Sequence, residues 1–566
     1  MAAFRNLMKA PLRGLFLLLL AAQVVARAPL GDEAIASAHP LATEAGIEIL
    51  RAGGNAFDAA VAVSAALAVV EPYSSGLGGG GFWLLHLAAS GRDVMIDGRE
   101  KAPLAAHRDM YLNERGEVVP QASIDGPLAA GIPGEPAALA YIARRYGRLP
   151  LKRSLAPAIR LAEQGFPVDT IYRRMAGWRR SVLARYPMAA KVFLEKGGIP
   201  AIGARIRQPE LAATLGRLAR FGRNGFYAGP VAHELVRAVR AAGGIWRFAD
   251  LARYRVVERE PVKGEFMGWK ITSAALPSSG GIVLVEMLNM LEAAGWAERP
   301  PMRSLTLMIE AMRRAYRDRA LYLGDSDFVD IPLKKLLSKA HARRLIADYD
   351  PGHATPSQPM ATQREGHHTT HFSIVDRDGN RVGATLSINY PFGSGFVAGG
   401  TGVLLNDEMD DFSAKPGVPN VYGLVGNQAN AIAPGKRMLS SMSPTFVETP
   451  HGVAVLGTPG GSRIITMLLQ AVLAMRDSRE PADWVARPRI HHQYLPDQVQ
   501  FEPGALSANQ RKALSERGYV LKAESRPWGN MQAVRIDKSD GRASAASDPR
   551  GIGASQVIRA KASAPR

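Results

Sequence analysis

Cysteine is absent from all 566 residues. That excludes a disulfide framework, a cysteine-ligated zinc or iron–sulfur centre, a thiol nucleophile and a lipid-modified cysteine. Long hydrophobic runs are nearly absent as well. The one present lies at the N-terminus, so a polytopic membrane protein is excluded. Runs of like charge are missing. Lysine and arginine outnumber aspartate and glutamate by 70 to 51, yet no five basic residues are consecutive. Aromatics make up only 7% and do not interleave with a basic strip. The formal charge of +19 therefore reads as a generally cationic surface rather than a nucleic-acid groove. What is present is ordinary for a globular chain, with 47% hydrophobic residues, too many for disorder. The length would suit about three to four domains.

Residues 1–28 have the three parts of a secretory signal. Arg5, Lys9 and Arg13 form a positive start, Gly14 to Val25 a short apolar core, and Ala26-Arg27-Ala28 a cleavage site. The apolar core is too short to span a ~30 Å hydrocarbon layer comfortably. Export is the expectation, to the periplasm in a Gram-negative cell.

His39 to Glu71 reads as a helical hairpin. Gly53-Gly54 ends its first helix and Asn55 caps its second, which is small and apolar on every side and so buried all round. Phe82 to Ala88 reads as a buried strand. Pro133 to about Ile346 reads as mostly helical. From Tyr349 to His368 periodicity stops among prolines and glycines, as in a functional loop. Strands follow, at Thr370 to Val375 and Arg381 to Asn389, joined around Asp378-Gly379 as a hairpin. A symmetric turn would set Thr369 opposite Ile388, with Ser387 and Asn389 on either side.

Several constellations could carry chemistry. Gly76 to Gly81 matches G-x-G-x-x-G, but a helix precedes it and a strand follows, the reverse of a dinucleotide site. Close packing suits it better. His367, His368 and His371, and the pair His491-His492, lack metal-site spacing, and ordinary hydrogen bonds account for them. Thr369 stands where the loop meets the strand. If the chain were cut before it, its own α-amine, with pKa ~7.7–8.0, could act as base for its hydroxyl. A threonine there is also simply a strand former, and the residues alone leave both readings open. Gly460-Gly461, between a strand and a helix, can aim N–H groups at an oxyanion or be a plain turn. Ser440-Ser441 supply hydroxyls. Glu408, Asp410 and Asp411 supply carboxylates suited to an ammonium group.

Taken together, these segments resemble the γ-glutamyltransferase (γ-glutamyl transpeptidase) family of N-terminal nucleophile hydrolases. The carrying motifs run in the family's order: the stretch from His39 to Phe82, then "DGREKAP", "LPSSGGI", "YLGDSDF", "TTHFSIVDRDGN", "NDEMDDFSAKPGVPNVYGLVG", "LSSMSPT", "GTPGGSRI" and "SDPRG". The resemblance implies an α/β fold, a four-layer αββα sandwich. It implies a precursor that cuts itself between His368 and Thr369. A large subunit, 29–368, whose end at 349–368 is a flexible loop, would stay with a small one, 369–566, as a heterodimer. By motif match Thr369 is the nucleophile, supported by Thr385 and Ser387, and Gly460 and Gly461 form the oxyanion hole. Arg99, with Ser440 and Ser441, holds the substrate α-carboxylate. Asn389, Glu408 and Asp411 take its α-ammonium, and Tyr422 belongs to a lid. Substrates are glutathione and other γ-glutamyl compounds, and acceptors are amino acids or peptides. No metal or organic cofactor is implied, nor nucleic acid. Ser387 departs from the threonine many members carry there, which keeps the hydroxyl and loses a methyl. A cephalosporin (glutaryl) acylase of the same fold is the nearest alternative. Its substrate lacks the α-ammonium that Glu408 and Asp411 would meet.

Overall fold

The structure, a computed structural model, describes residues 31–358, 369–415, 417, 418, 420, 423, 424, 426 and 428–560. Residues 1–28, read above as a secretory signal, His368 and Tyr422 lie outside the described residues. Two antiparallel sheets stack face to face. The first has seven strands, in the order Ala554–Ile558, Glu33–Ser37, Thr370–Val375, Arg381–Ser387, Gly80–Leu87, Arg92–Gly98 and Val257–Arg259. The second has six, in the order Ala543–Ser547, Gln532–Asp537, Gly452–Gly457, Thr445–Glu448, Trp269–Ser273 and Val262–Phe266.

Side chains alternate across each strand, and that alternation builds the layers. Ile35, Trp83, Leu85, Phe372 and Ile374 pack outward against the helices Pro40–Arg51 and Ala56–Val70. Ala34, Phe82, Leu84, Met95 and Val375 belong to the core shared with Phe446, Val455 and Val534 of the second sheet. Helices Gly280–Ala293 and Ile464–Ala474 cover that sheet's other face. The result is the αββα sandwich.

The helix Ala56–Val70 is buried along its whole length. Asn55 starts it: its side-chain oxygen accepts from the Phe57 and Asp58 amides at 3.0 Å, and Asp58 returns a bond to the Asn55 amide at 3.0 Å. Asn55 also donates to the Tyr146 carbonyl at 2.8 Å. Asn55→Ala is expected to destabilise the fold by about 1–2 kcal/mol, read as a lower urea midpoint. An unchanged midpoint would mean the cap is dispensable.

Three details differ from the sequence expectation. The stretch read as mostly helical contains the strands Val257–Arg259, Val262–Phe266 and Trp269–Ser273. Met267 and Gly268, at φ +52° and +77°, make the two-residue turn that joins the last two. Glu33–Ser37 and Arg92–Gly98 were also not foreseen. Glu33–Ser37 is buried throughout and shows no alternating polarity.

The central hairpin is not symmetric about Asp378-Gly379. Val375 pairs with Arg381, and Thr370 with Leu386, so the register puts Ser387, not Ile388, opposite Thr369. The cause is an odd-length turn. Gly379 takes φ +85°, and the Asp376 carboxylate gathers the amides of Asp378 at 3.0 Å and Asn380 at 2.9 Å. A three-residue turn closed by a left-handed glycine shifts the partner strand by one.

Strands from before and after residue 368 interleave. Glu33–Ser37 lies between Ala554–Ile558 and Thr370–Val375. Trp269–Ser273 pairs with Thr445–Glu448. Among the described residues, no helix is long and apolar enough to cross a membrane.

Candidate active site

Thr369 stands at the head of the strand Thr370–Val375 and is 6% exposed. It shares a strand face with His371, Ser373 and Val375, which look into the gap between the sheets. There Thr385 Oγ1 meets His371 Nδ1 at 2.8 Å, and Ser373 Oγ meets His371 Nε2 at 3.2 Å. Thr385 is paired with His371, two residues into the strand from Thr369. Ser387 is the hydroxyl opposite Thr369 in the register, and it accepts the Asn389 amide at 2.8 Å. Asn389 takes φ +73°, a left-handed conformation that asparagine tolerates.

The glycine run before the second strand has a packing role. A Cβ on Gly79 would lie 2.2 Å from the Ser387 carbonyl, and one on Gly78 would lie 1.9 Å from that of Leu404. The run lets backbone press against the strand end that carries Ser387. No phosphate cradle is needed to explain it.

Gly460 and Gly461 take φ +145° and +55°, which places them in the glycine-favouring region. Gly461 opens a short turn that feeds the helix Ile464–Ala474. Tyr316, from the helix Pro301–Tyr322, donates to the Ser462 carbonyl and fixes this loop from behind.

Thr369 lies between two hollows. One is a tight crevice reached by Arg99, Ser387, Asn389, Asp411, Ser440, Ser441 and Gly461. The other is a larger cavity that also touches Gly460. In the crevice Arg99 Nη1 donates to Glu408 at 2.6 Å and Nη2 to Asp411. Glu100 stands 3.7 Å away. Asp410 leaves this group and accepts from Ser123 at 2.7 Å. Burial pushes the Glu408, Asp411 and Glu100 carboxyls upward against the pull of Arg99. The guanidinium is held above its ordinary value by these carboxylates despite burial.

Arg319 is a further member that sequence reasoning missed. It is 5% exposed, lines the same crevice, and donates to Ser279 Oγ at 3.0 Å and Ser441 Oγ at 3.2 Å. It sits in a helix rich in arginine, so no local signal marks it. The segment "LPSSGGI" backs the serines: Ser279 donates through both its amide and its hydroxyl to the Ser440 carbonyl, at 2.8 and 2.7 Å.

His371 is buried, and burial pushes its imidazole down to about 3. His491 ends on Thr466 at 2.8 Å and His492 on Asp497 at 3.2 Å. Among the described residues the histidine–carboxylate cluster is a different one, Glu286, Asp318 and His341. Between pH 6.5 and about 3 the unfolded chain binds a proton at residue 371 that the folded chain refuses. Stability from this group is thus present above pH 6.5 and lost as pH falls. Buried carboxyls act in the opposite sense, so the difference between wild type and His371→Gln is the readout. The variant's urea midpoint should fall less steeply with acid than that of wild type. Parallel slopes would sink this account.

A four-layer sandwich with a hydroxyl residue heading a central strand, facing a left-handed glycine loop, defines the N-terminal nucleophile hydrolase class. The model of the family described as gamma-glutamyltranspeptidase matches residues 42–558. A glutathione hydrolase proenzyme of Pseudomonas sp. (strain A14) is 43% identical, covering 90% of each chain. That of Escherichia coli K12 is 41% identical, over 92% of this chain and 90% of its own. Among solved structures, a cephalosporin acylase from Bacillus halodurans superposes with TM-score 0.81 at 29% identity, covering 93% of this chain and 96% of that one. A Helicobacter pylori gamma-glutamyltranspeptidase chain superposes with TM-score 0.55 at 41% identity, covering 56% of this chain and 92% of that one. The chain belongs to the gamma-glutamyltranspeptidase family.

Proposed function

We propose that this enzyme is a γ-glutamyltransferase and glutathione hydrolase, matured by cleavage of its own chain between His368 and Thr369. The observation that carries the reading is the position of Thr369, between a glycine loop and a crevice holding both guanidinium and carboxylate groups. Cleavage would free the Thr369 α-amine, which takes the hydroxyl proton. Thr369 Oγ then attacks the γ-carbonyl, the oxyanion meets the Gly460-Gly461 loop, and the amine portion leaves with the proton. Water, or an acceptor amine, attacks the resulting γ-glutamyl ester and restores the threonine.

The crevice charges suit a zwitterion. With no substrate, Arg99 is neutralised by Glu408 and Asp411. A γ-glutamyl head brings one carboxylate and one ammonium. Arg99, Arg319, Ser440 and Ser441 would take the first, and Asn389, Glu408 and Asp411 the second. The exchange leaves the buried net charge unchanged, which avoids the cost of stranding a charge.

The interleaved sheets supply the reason that subunits 29–368 and 369–566 would stay together as a heterodimer. The share of this chain matched by the Helicobacter pylori chain is close to that of a subunit ending at residue 368. The leader at 1–28 supports export, to the periplasm in a Gram-negative cell.

The acylase reading draws on the Bacillus halodurans structure. It leaves Glu408 and Asp411 without a substrate ammonium to bind. Initial rates on γ-glutamyl-p-nitroanilide and glutaryl-p-nitroanilide, identical but for the α-ammonium, separate the two. We expect the first to be favoured about 10²-fold or more, the value of a charge-assisted contact at a buried site. Equal rates would favour the acylase.

A further inference from the structure

Away from Thr369, one buried trio serves no part of the proposed reaction. Glu286 comes from the helix Gly280–Ala293, Asp318 from Pro301–Tyr322 and His341 from Lys339–Ile346. Their exposures are 1%, 4% and 6%. His341 Nε2 meets Asp318 Oδ2 at 2.6 Å and stands 3.4 Å from Glu286 Oε1. One donor atom from each residue lies within 4.8 Å of the other two. The three are far apart in the chain, so no short motif announces them.

The trio is unfinished. Glu286 Oε1 is buried without a hydrogen bond, and it is the oxygen that faces His341. Burial and the neighbouring Asp318 carboxyl push Glu286 well above the ordinary carboxylate range, with Lys335 pulling the other way. With a neutral imidazole the three groups carry two negative charges in a place that screens them poorly. Two protons would cancel the charge. The one hydrogen on His341 Nε2 then goes to Asp318, which leaves Glu286 Oε1 unserved. A single divalent ion would cancel both charges and bind all three atoms.

Imidazole nitrogen and carboxylate oxygen, without sulfur, suit a divalent transition ion such as zinc. Bonds of about 2.0–2.2 Å in a tetrahedral site set donor atoms about 3.3 Å apart. Glu286 and His341 already stand near that spacing. Asp318 would withdraw by less than about 1 Å.

We propose that Glu286, Asp318 and His341 form a zinc site that fastens three helices, with water completing the coordination. The helix Lys339–Ile346 exposes Ala340, Arg343 and Arg344. The trio therefore lies beneath one surface helix and can be filled as the chain folds. Asp318 immediately precedes Arg319, so zinc here would also steady the turn that presents Arg319 to Ser279 and Ser441. The site is independent of the γ-glutamyl chemistry, and its tests read metal, not turnover.

The full chain is dialysed against EDTA, reloaded with zinc chloride, desalted and assayed for zinc by mass spectrometry, beside Glu286→Gln and His341→Gln. Wild type should keep about one zinc per chain more than either variant. At a zinc concentration about 100 times Kd, the wild-type Tm should rise by about 2 °C and the variants' should not. Equal zinc in all three chains, or a wild-type Tm that zinc does not move, overturns the site. X-ray absorption on zinc-loaded wild type needs no variant, so it decides even where a variant fails to fold. It should show one imidazole among oxygen neighbours at about 2.0–2.2 Å. Two or more imidazoles, or none, would place the zinc elsewhere and overturn the proposal.

Discussion

Thr369→Ala should give a chain that runs as one band on a denaturing gel and has lost γ-glutamyl activity by about 10⁴–10⁶-fold. Wild type should run as two bands, the smaller beginning at Thr369. Both effects come from one oxygen. On the proposed mechanism the hydroxyl attacks the carbonyl carbon of the preceding residue in the precursor, and the substrate's γ-carbonyl in the mature enzyme. Alanine keeps the backbone and removes the nucleophile, and the site is 6% exposed, so little else changes. Thr369→Ser is the control: it keeps the hydroxyl and should retain slower cleavage. Ser387 faces Thr369 across the register set by the hairpin, so Ser387→Ala should slow the reaction without abolishing it. A two-band wild type with a two-band Thr369→Ala would place the nucleophile elsewhere.

Arg99→Lys should lower kcat/KM for a γ-glutamyl anilide by about 10²–10³-fold while leaving the chain folded. Lysine keeps the charge but not the fork. Arg99 addresses Glu408 and Asp411 through two different nitrogens, which one ammonium cannot reproduce. Truncating one partner of a buried pair costs about 3–5 kcal/mol, and the same magnitude should appear in substrate binding. Arg99→Met/Asp411→Asn is the second arm. If the two residues act on the two ends of one zwitterion, the double variant should lose less than the single losses combined. Fully additive losses would mean that the two residues act independently, and an Arg99→Lys enzyme of near wild-type activity would mean that Arg99 holds the loop Glu408–Asp411 and not the substrate. Melting curves for each variant separate a damaged fold from a damaged site.

Much of the fold was legible because its signals are local. Asn55 caps the helix it was expected to cap, since capping depends on side chains within one turn. The strand Thr370–Val375 falls where the sequence put it, and the helix Pro301–Tyr322 lies inside the stretch read as mostly helical. The strands between Val257 and Ser273 were missed because three short segments inside a helical region carry little periodic weight. The hairpin register failed by one residue because it hung on the Asp376 carboxylate and on Gly379 in the left-handed region, a choice that sequence symmetry does not reveal.

The site divides along the same line. The sequence by itself determined the chemistry on offer. With no cysteine, the nucleophile had to be sought among hydroxyls. Thr369 at a loop–strand junction, the paired glycines 460 and 461, and the carboxylates between 408 and 411 were visible as residue types in a pattern. Only the tertiary structure decided how they are used. It joined Arg99 to Glu408 across 309 residues, and brought Arg319 out of an arginine-rich helix onto Ser441. It also sent Thr385 to His371. The physical reason is range. Turn, cap and strand preferences act over a few bonds of the chain. Charge pairing and burial act over a few ångströms of space, and only folding brings distant residues that close.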